Sequence, residues 1–560
     1  MDLDNGTQPQ SGASLASQAC SSCRKQKRKC DKQLPNCGLC QRIGRPCDYT
    51  VDSQTNTPSV DDFLALRQKV NELESLLSQN ATGHGHVSNG SSLGSTDTSP
   101  DKVNSLLPTE PQTWPALSSF PRLFFLDSDV FEYERFQVPT PYIKAPPGAC
   151  AALGNSTELR QMIEHYFATV HGYFPVVSKI RLYQHLSNPS HEPGSDFALL
   201  FLAMKLATSE PPEGASPQTD LYSLVKSFVN YIESQNGFTI QLIQSNLLVA
   251  LYEFGHGIYP ASYLTIGHTA RLGHAMGLHQ RGAPQMLPRP TTWTEQEERR
   301  RVWWAVVILD RLVNTGNRGK PFASSDPSLD THLPTDDSAW DRGQMLVAAP
   351  LALSASQTIK AAPYARTCQA SHLLGKVIRH LNDKNLPPDY QFDEALQLHR
   401  VVRALSSVLP GEAESDDPSL RPTLCTSMGV CYSALLILYD AYSCTERHHG
   451  DTSLDTQLVM QKESIDGLAE TCEQVVQMSR RIRSVIEQDG LDRVSPTIID
   501  TIYQAAANCM CLLHHAPAIQ ANRSYRCVVC SRNLRASVRR ATSRNEGASC
   551  DTRPPMEGRR

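Results

Sequence analysis

Residues 20–48 read CSSCRKQKRKCDKQLPNCGLCQRIGRPCD, and the six cysteines of this stretch follow a regular spacing. The pattern C-x2-C-x6-C occurs twice, and the second copy begins 17 residues after the first. Cys-x2-Cys is the spacing with which one turn of chain holds a zinc ion. The cysteines that we predict to be metal ligands are Cys20, Cys23, Cys30, Cys37, Cys40 and Cys47.

The number of zinc ions that the segment can bind depends on whether some of the six thiolates bind two ions at once. Structural zinc takes four tetrahedral ligands, so two ions need two of the six cysteines to bridge both of them. One ion with two spare cysteines is the poorer alternative, because it breaks the repeat. A disulfide-rich run is disfavoured by the spacing and by the reducing compartment that we expect for this chain. Pro35 and Gly44 suit tight reversals between the ligands.

A basic run fills the interval between Cys23 and Cys30 with five cations in six residues. The segment 20–48 has eight Lys and Arg residues against Asp31 and Asp48, whereas the whole chain has a net charge of −4. A short helix that is held by a metal ion can enter the DNA major groove, and cations on it can contact the phosphates. Two alternatives to DNA contact are that the cations form a solvated face, or that the zinc module contacts only proteins. The residues predicted to contact double-stranded DNA are Arg24, Lys25, Gln26, Lys27, Arg28 and Lys29.

The segment strongly resembles the binuclear zinc cluster of fungal transcription factors, in its six cysteines, its basic run and Pro35. The resemblance implies two zinc ions per chain, with Cys20 and Cys37 as the bridging ligands. It also implies that Lys27 reads a CGG triplet in the major groove, with Gln26 beside it, in a nuclear regulator of RNA polymerase II transcription. Phosphates or nearby bases would be contacted by Arg24, Lys25, Arg28 and Lys29.

From about Trp114 onward the chain consists of long segments with apolar residues at i, i+3 and i+4, the pattern of helices. No segment shows the alternation of apolar and polar residues that is typical of strands, so the predicted fold class is mostly α with a large all-α domain. Stretches such as YFATVHGYFPVV and EERRRVWWAVVILDRL resemble the helical regulatory domain of the same family over roughly residues 160–335. The two resemblances follow the usual order of that family.

These patterns divide the chain into seven segments. We predict a disordered N-terminus (1–19), the zinc cluster (20–48), a linker (49–59), a coiled-coil helix (60–79), a disordered linker (80–113), the helical regulatory domain (114–520) and a disordered Arg-rich tail (521–560). No apolar stretch approaches the 18 residues of a membrane span, and the polar N-terminus lacks the apolar core of a secretory signal.

The coiled-coil prediction rests on apolar residues at consecutive a and d positions of a heptad repeat. About two and a half heptads are too short to form a stable helix alone in water. A single amphipathic helix that packs on the rest of the protein is the alternative. The position directly after the zinc cluster favours a homodimer, which would bring two clusters to two half-sites. The predicted dimer residues are Phe63, Leu66, Val70, Leu73 and Leu77.

No motif for catalysis or phosphate binding is apparent, so we expect no enzyme. The alternative would place catalysis in the helical domain and make the zinc cluster a targeting device. We favour a secondary-metabolite gene cluster as the target, over nutrient catabolism or a stress response. Activation or repression, the contacts with the transcription machinery and the effector ligand stay open.

Several side chains of the helical domain are predicted to be structural. On one continuous helix His274 would point away from His268 and His279, so the three histidines should not form a metal site. Trp303 and Trp304 are expected in the core. Ion pairs are expected between the Arg299–Arg301 run and Glu297, Glu298 and Asp310.

Overall fold

The computed structural model divides the chain into two compact units, residues 1–99 and 100–560. The structure describes residues 16–49 except 17, 26 and 27, residues 126–130 except 128, and residues 141–515 except 188–193, 213, 281–285, 317–318, 346–349, 414–420 and 444–454. At Lys25 and at a few residues near helix ends, only the backbone is described. The predicted coiled coil, long linker and tail lie outside the described residues.

The described part of the first unit contains two short helices, α1 (Ser21–Lys25) and α2 (Gly38–Ile43). The described part of the second unit is helical, with one isolated antiparallel bridge between His332 and Ala352 and no strand. Its helices are α3 (Pro147–Leu153), α4 (Ser156–Ala168), α5 (Val170–Tyr173), α6 (Lys179–Leu186), α7 (Ser195–Ala207), α8 (Asp220–Ser234), α9 (Ile240–Gly255), α10 (Ala261–Ala275), α11 (Trp293–Leu312), α12 (Asp337–Asp341), α13 (Pro363–Asn382), α14 (Pro388–Ala413), α15 (Arg421–Tyr442), α16 (Asp455–Asp489), a 3-10 turn (Leu491–Arg493) and α17 (Ile498–His515).

Two helices that are buried over most of their length form the centres of the helical unit. Helix α9 packs against α7, α8, α10 and α11, and helix α15 packs against α13, α14, α16 and α17. A helix that is mostly apolar is stable in a water-soluble unit only when neighbouring helices cover it. Contacts between α11 and α13 join the two groups. The prediction of a mostly α fold is confirmed.

Helix α15 is also the one described helix whose length and composition would suit a membrane span. The segment Leu424–Tyr442 has a mean hydropathy of 1.4, but 89% of it is buried inside the unit. Its apolar surface is therefore covered by the neighbouring helices.

Helix α10 corrects the prediction for the histidines. The helix ends at Ala275, and Gly277 has a φ of 77°, which reverses the chain. The reversal brings the ring of His279 within 4.5 Å of the ring of His274, and burial lowers the pKa of both. The prediction that His274 points away from His279 is wrong, because it assumed one continuous helix. His268 lies elsewhere, 2.8 Å from Glu233.

Helix α11 carries a buried ion network around Arg301, whose side chain is fully buried. Its guanidinium donates to Glu297 at 3.0 Å, to Asp337 at 2.7 Å and to the carbonyl oxygen of Thr335 at 2.9 Å. The same group lies 4.2 Å from the centre of the Trp340 ring. Each of the three nitrogen atoms of the Arg301 guanidinium therefore donates a hydrogen bond to a protein group.

The other predicted ion pairs of α11 are confirmed in part. Arg300 also pairs with Glu297, as expected. Glu298 instead pairs with Arg181 of α6, and Asp310 pairs with its neighbour Arg311. The prediction is therefore wrong for Glu298 and Asp310. Trp303 and Trp304 are 6% and 1% exposed, which confirms their place in the core.

Candidate metal centre and nucleic-acid interface

The six cysteines of the first unit converge on one small volume. Cys20 and Cys37 are fully buried, and Cys23 and Cys40 are each 3% exposed. The core of this unit consists of these four cysteines, with Cys30, Leu39, Cys47 and Tyr49 packed against them. None of the described cysteines of this unit forms a disulfide.

Distances between the sulfur atoms match the edges of a zinc–sulfur tetrahedron. With zinc–sulfur bonds of about 2.3 Å, two ligands of one ion lie about 3.8 Å apart. The Sγ atom of Cys20 lies 3.8 Å from that of Cys37 and 3.7 Å from that of Cys40. The Sγ atoms of Cys23 and Cys37 are 3.8 Å apart. These three sulfur–sulfur distances therefore fit tetrahedral zinc.

The six sulfur atoms form two overlapping groups of four. Within each group all sulfur atoms lie within 4.8 Å of one another. Cys20 and Cys37 belong to both groups, which is the position that a ligand bridging two ions would occupy. The first group is Cys20, Cys23, Cys30 and Cys37, and the second is Cys20, Cys37, Cys40 and Cys47.

The sequence repeat reappears as a structural repeat. Helix α1 follows Cys20 and helix α2 follows Cys37, so each C-x2-C pair lies at the start of a short helix. Gly44 ends α2 with a φ of 63°, in the left-handed region that glycine adopts without strain. The expectation that Gly44 supports a tight reversal is confirmed.

Asp31 is a structural residue that the sequence analysis missed. Its carboxylate accepts a hydrogen bond from the backbone N–H of Gly38, at 2.9 Å to Oδ2. A Cβ at Gly38 would lie 2.6 Å from the same oxygen, so a side chain at this position would require the Asp31 carboxylate to move. Asp31 thereby fixes the start of α2 relative to the chain after Cys30. The only signal in the sequence is an acidic residue directly after a predicted ligand.

A backbone N–H group favours the thiolate form of Cys37, whereas Cys40 favours the thiol. The N–H of Cys40 lies 3.3 Å from the Sγ atom of Cys37 and lowers the pKa of that thiol to about 6. The hydrogen bond between the two side chains raises the pKa of Cys40 to about 12. Because metal ligands must be thiolates, metal binding at neutral pH releases protons from this cluster.

The described cations of the basic run lie on the surface of the first unit. Arg24, Arg28 and Lys29 are exposed, and Arg24 belongs to α1. The N–H of Arg28 donates to the carbonyl oxygen of Cys23 at 3.0 Å, which ties the run to a predicted ligand. Gln26 and Lys27 lie outside the described residues.

Two family models match the chain in the order expected. The fungal Zn(2)-Cys(6) binuclear cluster domain matches residues 18–56. The fungal specific transcription factor domain matches residues 163–349, which cover α5 to α12. No solved structure matches the chain.

Similar proteins are fungal regulators. Transcription factor BOA15 of Botryotinia fuckeliana is 35% identical over 178 residues, which are 32% of this chain and 98% of BOA15. Citrinin biosynthesis transcriptional activator mrl3 of Monascus ruber is 25% identical over 59% of this chain and 66% of its own length. Azaphilone cluster-specific transcription factor azaR of Aspergillus niger is 23% identical over 76% of this chain and 86% of its own length.

These matches agree with the geometry of the cysteine cluster. The cluster model covers all six converging cysteines, and the described residues hold them at distances that suit zinc. The second model covers the centre of the helical unit. The chain therefore belongs to the fungal transcription factors that combine a Zn(2)-Cys(6) binuclear cluster domain with a fungal specific transcription factor domain.

Proposed function

We propose that this chain binds two zinc ions through its six N-terminal cysteines and regulates transcription as a DNA-bound homodimer. The observation that carries the proposal is the pair of four-sulfur groups that share Cys20 and Cys37. In this assignment Cys20 and Cys37 bridge the two ions, and the other four cysteines each bind one ion. Zinc supplies the fold of the module, and the protein supplies the cations that meet DNA.

The basic run is proposed to contact DNA in two ways. Lys27 donates to the O6 and N7 acceptors of guanine in a CGG triplet, beside Gln26. The remaining cations of the run contact phosphates, which position the module on the duplex. The exposure of Arg28 and Lys29 on a metal-bound module supports this assignment.

Changing Lys27 to alanine should reduce sequence discrimination. We expect Lys27→Ala to cost about 1–3 kcal/mol on a CGG-containing duplex and much less on random DNA, because only base contacts depend on sequence. The measurement is a titration of both duplexes by fluorescence anisotropy, with the zinc content of each variant determined first.

Arg28→Ala is the matched control for Lys27. It should weaken both duplexes to a similar extent and reduce the slope of log affinity against log salt by about one unit. If Lys27→Ala, with its full zinc content, weakens both duplexes equally, the base contact must be assigned to another residue of the run. If neither duplex is bound more tightly than the other by the unchanged chain, CGG recognition is excluded.

The heptad segment is proposed to join two chains. Replacing Leu66 and Leu73 together by alanine should reduce affinity for paired half-sites by about a hundredfold, because the second contact is then no longer intramolecular. Binding to a single half-site should change little. The matched control replaces Gln68 and Ser75, on the outer face of the same heptads, by alanine. Unchanged paired-site affinity in the leucine variant would assign dimerisation to another segment.

We further propose that the chain acts in the nucleus on a secondary-metabolite biosynthetic gene cluster. The printed functions of mrl3 and azaR, citrinin biosynthesis and an azaphilone cluster, support this choice. The same family relation favours a regulator that contacts the transcription machinery over an enzyme. Genome-wide mapping of bound sites separates this target from nutrient catabolism or stress response, and expression after gene deletion separates activation from repression.

A further inference from the structure

The helical unit contains a cavity of about 140 Å³. Val170 of α5, Ala207 of α7 and Leu251 of α9 line one side, and all three belong to the region that the family model matches. Ile486 of α16 and Ile498 of α17 line the other side, beyond that region. The cavity thus lies where the C-terminal helices pack on the matched part of the unit.

The lining of the cavity defines the chemistry of a ligand. Its lining is mostly apolar and includes Tyr252 and His256, together with two acidic residues, Glu210 and Asp492. The side chain of Asp492 is 39% exposed and lies 3.7 Å from His165, so this carboxylate lies at the edge of the cavity. An apolar cavity of about 150 Å³ is large enough to bind benzene. The volume therefore suits one aromatic ring or a branched aliphatic group, and the two carboxylates disfavour an anion.

The end of α9 and the segment before α17, which line opposite sides of the cavity, are in close contact with each other. Gly255, at the end of α9, has no side chain, and a Cβ at this position would lie 2.9 Å from the Cβ of Pro496. The close approach allows the segment before α17 to cover the end of α9. A molecule in the cavity would contact both sides at once, so its binding requires the assembled packing.

We propose that this cavity is a binding site for a small, neutral or cationic molecule with an aromatic or branched aliphatic group. The bound molecule stabilises the packing of α16 and α17 on α7 and α9. In a transcription regulator such a site would receive an effector, a role that rests on the proposed function. The binding itself requires no DNA.

Thermal unfolding of the zinc-loaded full chain tests the site with three probes of similar size. Indole and benzylamine, which are neutral and cationic, should raise the unfolding midpoint by about 2–4 °C at saturation. Benzoate, which is anionic, should raise it by less than about 1 °C. If none of the three probes shifts the midpoint, the proposal is overturned.

Two variants fill the cavity from opposite sides. Ala207→Leu and Ile486→Phe should each lower the affinity for indole by about tenfold or more, since the added atoms occupy the space of the ring. The matched control is Ala261→Leu on α10, a partly buried alanine outside the lining, which should keep the response. If Ala207→Leu does not fold, Ile486→Phe tests the same space from the other helix.

An indole response that survives in the folded cavity variants would place the bound probe elsewhere and overturn the proposal. Binding of the same preparation to a CGG-containing duplex is measured in parallel. Loss of duplex binding with an intact indole response would contradict the proposed function alone. Intact duplex binding without an indole response would contradict the cavity site alone.

Discussion

Replacement of Cys37 by serine is expected to remove both zinc ions and to abolish specific DNA binding. Cys37 belongs to both four-sulfur groups, so its loss leaves each ion with only three thiolates. The module has almost no apolar core beyond its cysteines, and structural zinc supplies about 10–16 kcal/mol of folding free energy in modules of this kind. Zinc content by elemental mass spectrometry should fall from about two ions per chain to about none.

Two further cysteine variants make this experiment specific. Cys30→Ser removes a ligand from one group only, so about one ion per chain should remain. Cys150→Ser changes an exposed cysteine of α3 and should retain both ions. If the unchanged chain holds one ion and Cys37→Ser keeps it, the cluster contains a single zinc with spare cysteines. The bridged arrangement would then be wrong.

Replacement of Arg301 by alanine is expected to destabilise the helical unit by about 3–5 kcal/mol. The change leaves the carboxylates of Glu297 and Asp337 without the buried guanidinium that both now contact. It also removes the flat group that covers the ring of Trp340. Urea unfolding of the full chain, followed by tryptophan fluorescence, measures the effect.

The control for Arg301 is an exposed ion pair in the same unit. Arg403 and Glu470 are 2.8 Å apart, but their side chains are 39% and 48% exposed. Arg403→Ala should therefore cost no more than about 1 kcal/mol, because water replaces the lost partner. Equal losses of stability in the two variants would show that burial of the Arg301 network adds nothing.

The sequence was sufficient to predict the fold class and a close grouping of the six N-terminal cysteines, and for the same reason. The apolar period of α9 and the C-x2-C repeat are both local patterns, and each acts within a few turns of chain. The contact between Asp31 and Gly38 and the pairing of Arg301 with Asp337 join residues without any shared period. Such contacts are set by tertiary packing, so no local pattern could predict them. The histidine prediction failed for a different, local reason, because it continued the helix through Gly277, which has a positive φ and reverses the chain.

The composition of the small core at the N-terminus has a consequence for how this protein can evolve. Among the described residues this core consists of cysteine side chains, with Leu39 and Tyr49 as minor additions, and we propose that zinc holds it together. Exposed positions such as Arg24, Arg28 and Lys29 make little contribution to that core, and surface changes usually alter stability by less than about 0.5 kcal/mol. Natural selection can therefore substitute these positions one at a time without unfolding the module. The DNA sequence that we propose the module recognises can therefore change during evolution while its cysteine core stays the same.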